Sequence, residues 1–507
     1  MEQNHPNILF IMSDDHAAHA ISCYSKRMDG RPMINQTPNI DRIAEEGAFF
    51  NNCFCSNSIC TPSRAVILTG KHSHVNGCTT IFTKFDSSQL TFPKIMQKHG
   101  YQTAMIGKWH LGYEPENLPT GFDHYSILMG QGPYFDPGMI VNGEKKPFYG
   151  YTTNIITDQT LEWLKQRDKT RPFMVMCHHK APHRKWYPDE KHKDMYKDIE
   201  IPYPKTFDDN YEGRTFAEFA KMRVDSDFCA LDLKIMPPSG FDFKKPIAMP
   251  EKIDAYKITT DEEEEITFKS KEELRKWKYQ RYIKDYLRCI ASVDDNVGRL
   301  LDYLDEEGIA DNTIVIYTSD QGFFLGDHGW YDKRFIYEES LRMPFVMRYP
   351  KGIENGTVID EMVMNLDFAE TFLDYADLKI PEEMQGMSFR NIIEGNTPHK
   401  WRDAFYYRYF MVQSVHEVSP HYGIRTEKYK LIYFYGNAEV EGAISKDRTC
   451  EVTYPAPKWE LYDLEKDPFE LHNVYKDPAY GEIVKILKEK LHKLQEECGD
   501  KPVEEIG

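Results

Sequence analysis

The chain has 507 residues, 41% hydrophobic and 13% aromatic, so material for a large core is plentiful. A charged fraction of 28% and a mean hydropathy of -0.62 fit a globular protein and exclude a disordered or membrane-embedded chain. The balance of 63 basic against 81 acidic residues, net -18, argues against a broad nucleic-acid surface and against polybasic attachment to lipid.

The opening MEQNHPNILFIMSDDH has an apolar core, Ile8 to Met12, that is too short for a signal peptide. No apolar run approaches the roughly 18 residues of a membrane span. The expectation is a periplasmic or secreted protein whose leader is absent from the sequence, or a cytoplasmic one, with no membrane insertion and no nucleic-acid partner. NILFIM itself reads as a strand buried on both faces, running into Ser13, Asp14, Asp15 and His16. An amphipathic stretch from Pro38 to Gly47 has helix length. Between Cys53 and Cys78 the chain is dense in cysteine, but Cys53, Cys55, Cys60, His72, His74 and Cys78 match no usual structural zinc spacing. In the same stretch Pro62 and Ser63 suit the first turn of a helix, which places Cys60 at a helix N-terminus, favourable for anionic chemistry.

Phe92 to Gly100 reads as a helix, and QTAMIG as a strand running into Lys108, Trp109 and His110. Thr153 to Arg167 follows as a helix, then PFMVMC as a strand running into His178, His179 and Lys180, with Cys177 a small buried hydrophobe. Residues 184–275, rich in Tyr, Pro, Lys and Asp, read as a solvated surface insertion. Tyr282 to Gly308 is helical, and TIVIYT is a strand running into Ser319, Asp320 and Gln321. Short apolar strands alternating with helices indicate an α/β sheet covered on both faces, whose ligands gather beyond the carboxyl ends of its strands. From about residue 385 the aromatic, alternating FYYRYF, HYGIRTEKYKLIYFY and WELYDLEKDPFE suggest antiparallel strands, followed by a helix from about Tyr480 to Cys498. The expected organisation is a catalytic α/β domain over 1–385 and a smaller C-terminal α+β subdomain over 386–507.

Asp14, Asp15, Asp320 and Gln321 form an oxygen-rich set suited to a hard divalent cation, Ca²⁺ or Mg²⁺, and poorly suited to zinc. Three carboxylates in one pocket need such a charge to offset their repulsion. Arg64, Lys108, Lys333, His110, His179 and His183 together could hold a tetrahedral oxyanion and supply an acid or base. The combination points to hydrolysis of phosphate or sulfate esters.

CTPSRAVILTGKH resembles the signature of the type I sulfatases, whose cysteine is oxidised after translation to formylglycine. NILFIMSDDH, GKWHLG, APH and SDQGFFLGDHGWYDKR resemble further motifs of that family, in its order, over some 320 residues. The resemblance implies an alkaline phosphatase-like fold, a large mixed sheet sandwiched by helices. It also implies a maturation enzyme as a partner, which generates formylglycine from Cys60. Asp14, Asp15, Asp320 and Gln321 would bind calcium together with the modified Cys60; magnesium is the alternative. The family more often has Asn at the position of Gln321, which keeps the amide oxygen on a longer arm. Arg64 would pin the formylglycine hydrate, Lys108 and Lys333 would hold sulfate oxygens, His110 would assist hydrate chemistry and His183 would protonate the leaving alcohol. One hydroxyl of the hydrate attacks sulfur and the other later expels sulfate, which an unmodified cysteine cannot do.

HHKAPHRKW and SDQGFFLGDHGWYDKRFIYEES are most similar to glucosamine- or N-acetylglucosamine-6-sulfatases, whose relatives act on heparan, keratan or mucin-type glycans. The expected substrate is a sulfated mono- or oligosaccharide bound through one terminal sugar. In an extended segment Asp332 and Arg334 would share one face and bracket vicinal hydroxyls, with His179 and His421 as further substrate contacts. The alternatives are another carbohydrate sulfatase, a phosphonate monoester hydrolase or phosphodiesterase of the same superfamily, and a sulfoglycan-binding protein with a dead site.

Overall fold

In the computed structural model the described residues are 5–25, 35–236, 242–243, 245–253, 256–412, 416–436, 452–501 and 503. Ten strands form the main sheet: β1 (Asn7–Ser13), β2 (Ala48–Phe50), β3 (Gln102–Gly107), β4 (His124–Leu128), β5 (Gly138–Val141), β6 (Glu144–Pro147), β7 (Phe173–His179), β8 (Thr313–Ser319), β9 (Phe345–Arg348) and β10 (Thr357–Ile359). Their order is β10-β2-β9-β8-β1-β7-β3-β4-β5-β6. The central five, β8 to β4, are parallel, and antiparallel pairs flank them on both sides, so the sheet is mixed.

Register decides where the polar chemistry falls. Ser13 pairs with Ser319 across β1 and β8, and with His179 across β1 and β7, while Gly107 of β3 pairs with His178. The residues after these four strands therefore emerge side by side at one edge. Alternate side chains of β1 enter opposite cores: Ile8, Phe10 and Met12 pack into one layer, Leu9 and Ile11 into the other. A strand buried on both faces has no place for polar alternation, hence its continuous apolar run.

Helices α1 (Pro38–Glu45), α4 (Thr152–Gln166) and α5 (Lys271–Glu306) cover one face. Helices α2 (Cys60–Thr69), α3 (Phe92–Lys98) and α6 (Phe368–Tyr375) cover the other. The sequence reading began α5 at Tyr282; it begins 11 residues earlier, at Lys271. Ser270 caps it by accepting from the Glu273 N–H at 3.1 Å, and Glu273 in return accepts from the Lys269 N–H at 2.8 Å. The early turns are charged, so apolar periodicity is weak where capping chemistry is strong.

Residues 184–275 are not merely a solvated surface. Trp186, Phe228 and Leu233 are wholly buried, and strands Ile235–Met236, Tyr256–Thr260 and Glu265–Phe268 form a small sheet. Aromatic anchors inside a Lys- and Asp-rich composition produce this packing.

Strands β11 (Ala404–Tyr409), β12 (His421–Thr426), β13 (Tyr429–Phe434) and β14 (Lys458–Asp463) form an antiparallel sheet in that order. Helix α7 (Gly481–Cys498) lays Leu487 and Leu491 on the face carrying Tyr406, Tyr422 and Leu431. The opposite face, with Phe405, Tyr407 and Phe434, joins the core of the main sheet. Nine cysteines fall within the described residues, none in a disulfide, and Cys450 lies outside them. Among the described residues no helix is long and apolar enough to cross a membrane.

Candidate active site

β1 and β8 deliver Asp14, Asp15 and Asp320 to one place, with carboxylate oxygens lying within 4.8 Å of one another. The turn after β1 is held by its neighbours. The Asp15 N–H donates to Asp320 Oδ1 at 3.2 Å, the His16 N–H donates to Ser319 Oγ at 2.9 Å, and the Tyr286 hydroxyl of α5 donates to the Asp15 carbonyl at 2.7 Å. Asp15 itself is left-handed, with φ of 65°, a region in which Asp is several-fold enriched among non-glycine residues. Gln321 donates from Nε2 to Asp15 Oδ1 at 2.5 Å, while Gln321 Oε1 and Asp15 Oδ2 are buried without a hydrogen-bond partner.

Cys60 opens α2 after the extended Ile59, and all ten residues of the helix are buried. Its sulfur, an Asp14 oxygen and a His183 nitrogen lie within 4.8 Å of one another. The free N–H groups of a helix start favour negative charge here. The thiol itself is not ionised: burial pushes it up to about 12, against the pull of Lys333.

Three cations surround this group. Arg64, one turn into α2, donates from Nε to Asp320 Oδ2 at 3.0 Å and from Nη1 to the Lys108 carbonyl at 2.8 Å. Lys108 pairs with Asp14 and with the Gln131 side chain. Lys333 donates to Asp15 Oδ1 at 2.5 Å. The acids respond differently. Burial pushes Asp14 up, but the charges of Lys108 and Arg64 override it and hold the carboxyl well below the usual range. Burial raises Asp15 to about 6 despite Lys333, and burial with repulsion from Asp14 raises Asp320 to about 7. Such a crowded set favours a counter-charge.

Two histidines face the same space. His183 donates from Nδ1 to the Arg184 carbonyl at 2.7 Å, which leaves Nε2 turned toward Asp15, 3.8 Å from Oδ2. The Thr61 hydroxyl donates to the His110 carbonyl at 2.8 Å and fixes that loop against α2. Burial, then the charge of Lys108, holds both imidazoles well below their ordinary value, so both are neutral.

A family model for sulfatases matches residues 6–378. The chain belongs to the sulfatase family. A second model, the C-terminal part of N-sulphoglucosamine sulphohydrolase, matches residues 326–497 of this sulfatase. The sulfatase is 43% identical to an N-acetylglucosamine-6-O-sulfatase of Bacteroides thetaiotaomicron, over 99% of this chain and 88% of the relative. It is similar, with a TM-score of 0.84 and 40% identity over 98% of both chains, to a solved structure described as a complex with its substrate D-glucosamine-2-N,6-O-disulfate. A phosphonate monoester hydrolase of Agrobacterium radiobacter shares the fold alone, with a TM-score of 0.70 and 20% identity over 97% of this chain and 96% of that one. The sulfatase thus has the alkaline phosphatase-like fold, with a C-terminal antiparallel sheet.

Of the residues singled out in the sequence, ten converge: Asp14, Asp15, Cys60, Arg64, Lys108, His110, His183, Asp320, Gln321 and Lys333. Two do not. His179 projects from β7 into the opposite core layer, wholly buried, where Nε2 lies 3.8 Å from the Cys177 sulfur and Nδ1 has no hydrogen-bond partner. Strand alternation explains this, because its neighbour His178 takes the site-facing position, 3.4 Å from Arg64 Nη1. His421 is wholly buried, donating to the Ser419 carbonyl at 2.8 Å and accepting from the Ile336 N–H at 3.1 Å. Neither ring nitrogen is left for a substrate.

Asp332 closes the short strand Tyr331–Asp332, but φ values of 78° at Asp332 and 99° at Arg334 break the extended run between them. They meet all the same, Arg334 Nε donating to Asp332 Oδ1 at 3.0 Å. Asp332 Oδ2 also lies 3.2 Å from His416 Nε2 and 3.9 Å from Arg184 Nη1, and Arg184 is clamped by Asp232. Gln131, His178, Arg184, Asp232 and His416 were missed. The first half of that network was within reach, because Arg184 directly follows His183. Gln131 and His416 sit in turns and Asp232 in the four-residue helix Ala230–Leu233, all too short to show a periodic pattern.

Proposed function

We propose that this sulfatase hydrolyses the 6-O-sulfate ester of glucosamine or N-acetylglucosamine at the terminus of sulfated glycans. The observation that carries the reading is the convergence of Cys60, Asp14 and His183 within 4.8 Å, ringed by Arg64, Lys108 and Lys333. The substrate assignment rests on the two relatives above 40% and at 40% identity, one an N-acetylglucosamine-6-O-sulfatase and the other a complex with a 6-O-sulfated glucosamine.

The donor set fits calcium, with magnesium second. Three carboxylates, an amide oxygen and the modified residue 60 offer hard oxygen ligands, and two of those oxygens are buried without a partner. Asp14, Asp15, Asp320, Gln321 and residue 60 would hold the ion. When bound, calcium supplies positive charge next to a formylglycine derived from Cys60, which is the nucleophile the family uses in place of a thiol. The chain's own residues do the rest. Lys108 and Lys333 hold sulfuryl oxygens and offset the charge that grows on them as the ester bond breaks. Arg64 fixes Asp320 and Asp14 in place. His110 handles protons at residue 60. His183, its Nδ1 proton committed to a carbonyl, presents Nε2 to carry a proton to the departing sugar oxygen. Overall, water and the ester become the sugar alcohol and hydrogen sulfate. Asp332 and Arg334 would hold ring hydroxyls beside Lys333. The catalytic residues all lie within 1–385, and 386–507 would close the site from the His416 side.

Sulfate release across a panel of 2-, 3-, 4- and 6-sulfated glucosamine derivatives tests this. Release is expected from the 6-sulfated sugars only; turnover at another position overturns the substrate assignment and leaves the family intact.

A further inference from the structure

Beyond His183 lies a cavity of about 1260 Å³. Pockets for whole drug-sized ligands run to roughly 300–1,000 Å³, so one sugar leaves most of it unused. Gln131 and His183 form its inner lining, and most of the remainder comes from residues 184–248, the insertion expected to be mere surface. Six basic and four acidic side chains line it, a cationic excess in a chain of net charge -18. Asp232 pairs with Arg184, itself one of the six, and Asp227 accepts from the backbone N–H of Arg223 at 2.7 Å, so an excess of two cations remains. Lys185 is half-buried and Lys221 exposed, and among the described residues neither ammonium makes a hydrogen bond or close ion pair.

The cavity also presents aromatic rings. Phe135 is 43% exposed and Tyr187 36% exposed. Both are braced: Phe135 packs edge-on to Tyr151 at 5.1 Å, and the Tyr187 hydroxyl donates to Asp261 at 3.3 Å. A rigid, wet aromatic face stacks against the C–H face of a pyranose while leaving the sugar hydroxyls to water.

We propose that this cavity is a second sugar subsite, which seats the residue next to the 6-sulfated one on Phe135 and Tyr187 and pairs its anionic substituent with Lys185 and Lys221. The substituent is a carboxylate or a further sulfate, the two anions that a sulfated glycan supplies. The inference rests on the function proposed above and deepens it, from a terminal sulfated sugar to an acidic oligosaccharide.

The test measures kcat/KM for sulfate release from 6-O-sulfated N-acetylglucosamine and from three disaccharides that end in it, whose second residue is a uronate, a sulfated hexose or a neutral hexose. The intact enzyme should favour at least one acidic disaccharide over the neutral one by about tenfold, the scale of a charge-assisted contact. The preference should shrink with added salt. In K185A/K221A the acidic-to-neutral ratio should fall to near one, and in F135A both disaccharides should lose their advantage over the monosaccharide. An acidic-to-neutral ratio of one in the intact enzyme overturns the proposal even when every 6-sulfated sugar is a substrate. If the position panel instead reveals a different sulfate ester, the same ratio taken on that ester decides the subsite independently.

Discussion

Gln321 donates to Asp15 Oδ1 at 2.5 Å while its own Oε1, equally buried, has no hydrogen-bond partner. An unmet buried acceptor costs about 1–3 kcal/mol. Here two of them, Gln321 Oε1 and Asp15 Oδ2, stand beside three crowded carboxylates, and one hard cation meets the whole set. Chelation is therefore expected to lower Tm and abolish sulfate release, with Ca²⁺ restoring both. At free Ca²⁺ one hundred times Kd the gain is about 2.7 kcal/mol. Q321A should weaken calcium binding in a titration followed by Tm. A melting temperature indifferent to chelator and to Ca²⁺ would exclude the ion.

Burial raises the Cys60 thiol to about 12, so at neutral pH an unmodified chain carries neither a thiolate nucleophile nor a thiolate ligand. Protein made without a maturation enzyme should be folded and inactive. Co-expression with one should yield both activity and a Cys60 peptide with the mass of the aldehyde. Full activity with an intact thiol would sink the formylglycine assignment.

Arg64 touches Asp320 at 2.9–3.0 Å and Asp14 at 3.5 Å in a fully enclosed position. Removing one partner of such a pair costs about 3–5 kcal/mol. R64A is expected to lose both stability and turnover. K333A should lose about 10²–10³ in kcat, the scale of one removed oxyanion donor. Thermal melts and steady-state kinetics separate the two effects, and a K333A enzyme with unchanged kcat would remove Lys333 from the reacting centre.

His183 is neutral in the free site because burial and Lys108 both disfavour its charge. A bound sulfate adds negative charge and raises it, which loads Nε2 with the proton the leaving alcohol needs. An aryl sulfate releases a stable phenolate and needs that proton less. H183A should therefore lose far more activity on a 6-sulfated sugar than on a nitrophenyl sulfate; equal losses on both would place His183 outside proton transfer.

Glu370 of α6 accepts from the Gly386 N–H at 2.7 Å, but its other oxygen is buried without a partner. Burial, reinforced by Asp367, raises it from 4.5 to about 8. The folded state thus holds a proton that the unfolded state gives up, and its stabilising contribution is complete below about pH 4.5 and lost as pH rises through about 8. Tm should fall across that window, and E370Q should flatten the fall. An unchanged slope in E370Q would assign the pH dependence elsewhere.

Much of the site was legible because it hangs on local signals. NILFIM and TIVIYT are apolar without alternation, which marks strands buried on both faces, and each runs directly into its acids. Pro62 and Ser63 mark the helix start that carries Cys60. Where local signal was weak the reading slipped. The charged first turns of α5 hid its start, and Trp186 and Phe228 were lost in a polar stretch that in fact packs and walls the cavity.

The sequence alone determined the strand-end acids, the helix that begins at Cys60 and the order of the motifs, because these follow from hydrophobic runs and capping chemistry within a few residues. Only the tertiary structure decided which neighbours share a site. The Ser13–Ser319 register sets Asp14 and Asp15 beside Asp320. The pleat of β7 turns His178 toward Arg64 and His179 away from it. The C-terminal sheet closes around His421, and a short helix and a turn remote in sequence bring Asp232 and His416 to Arg184. Register, pleat and loop closure are properties of strands in contact, and no single stretch of chain carries them.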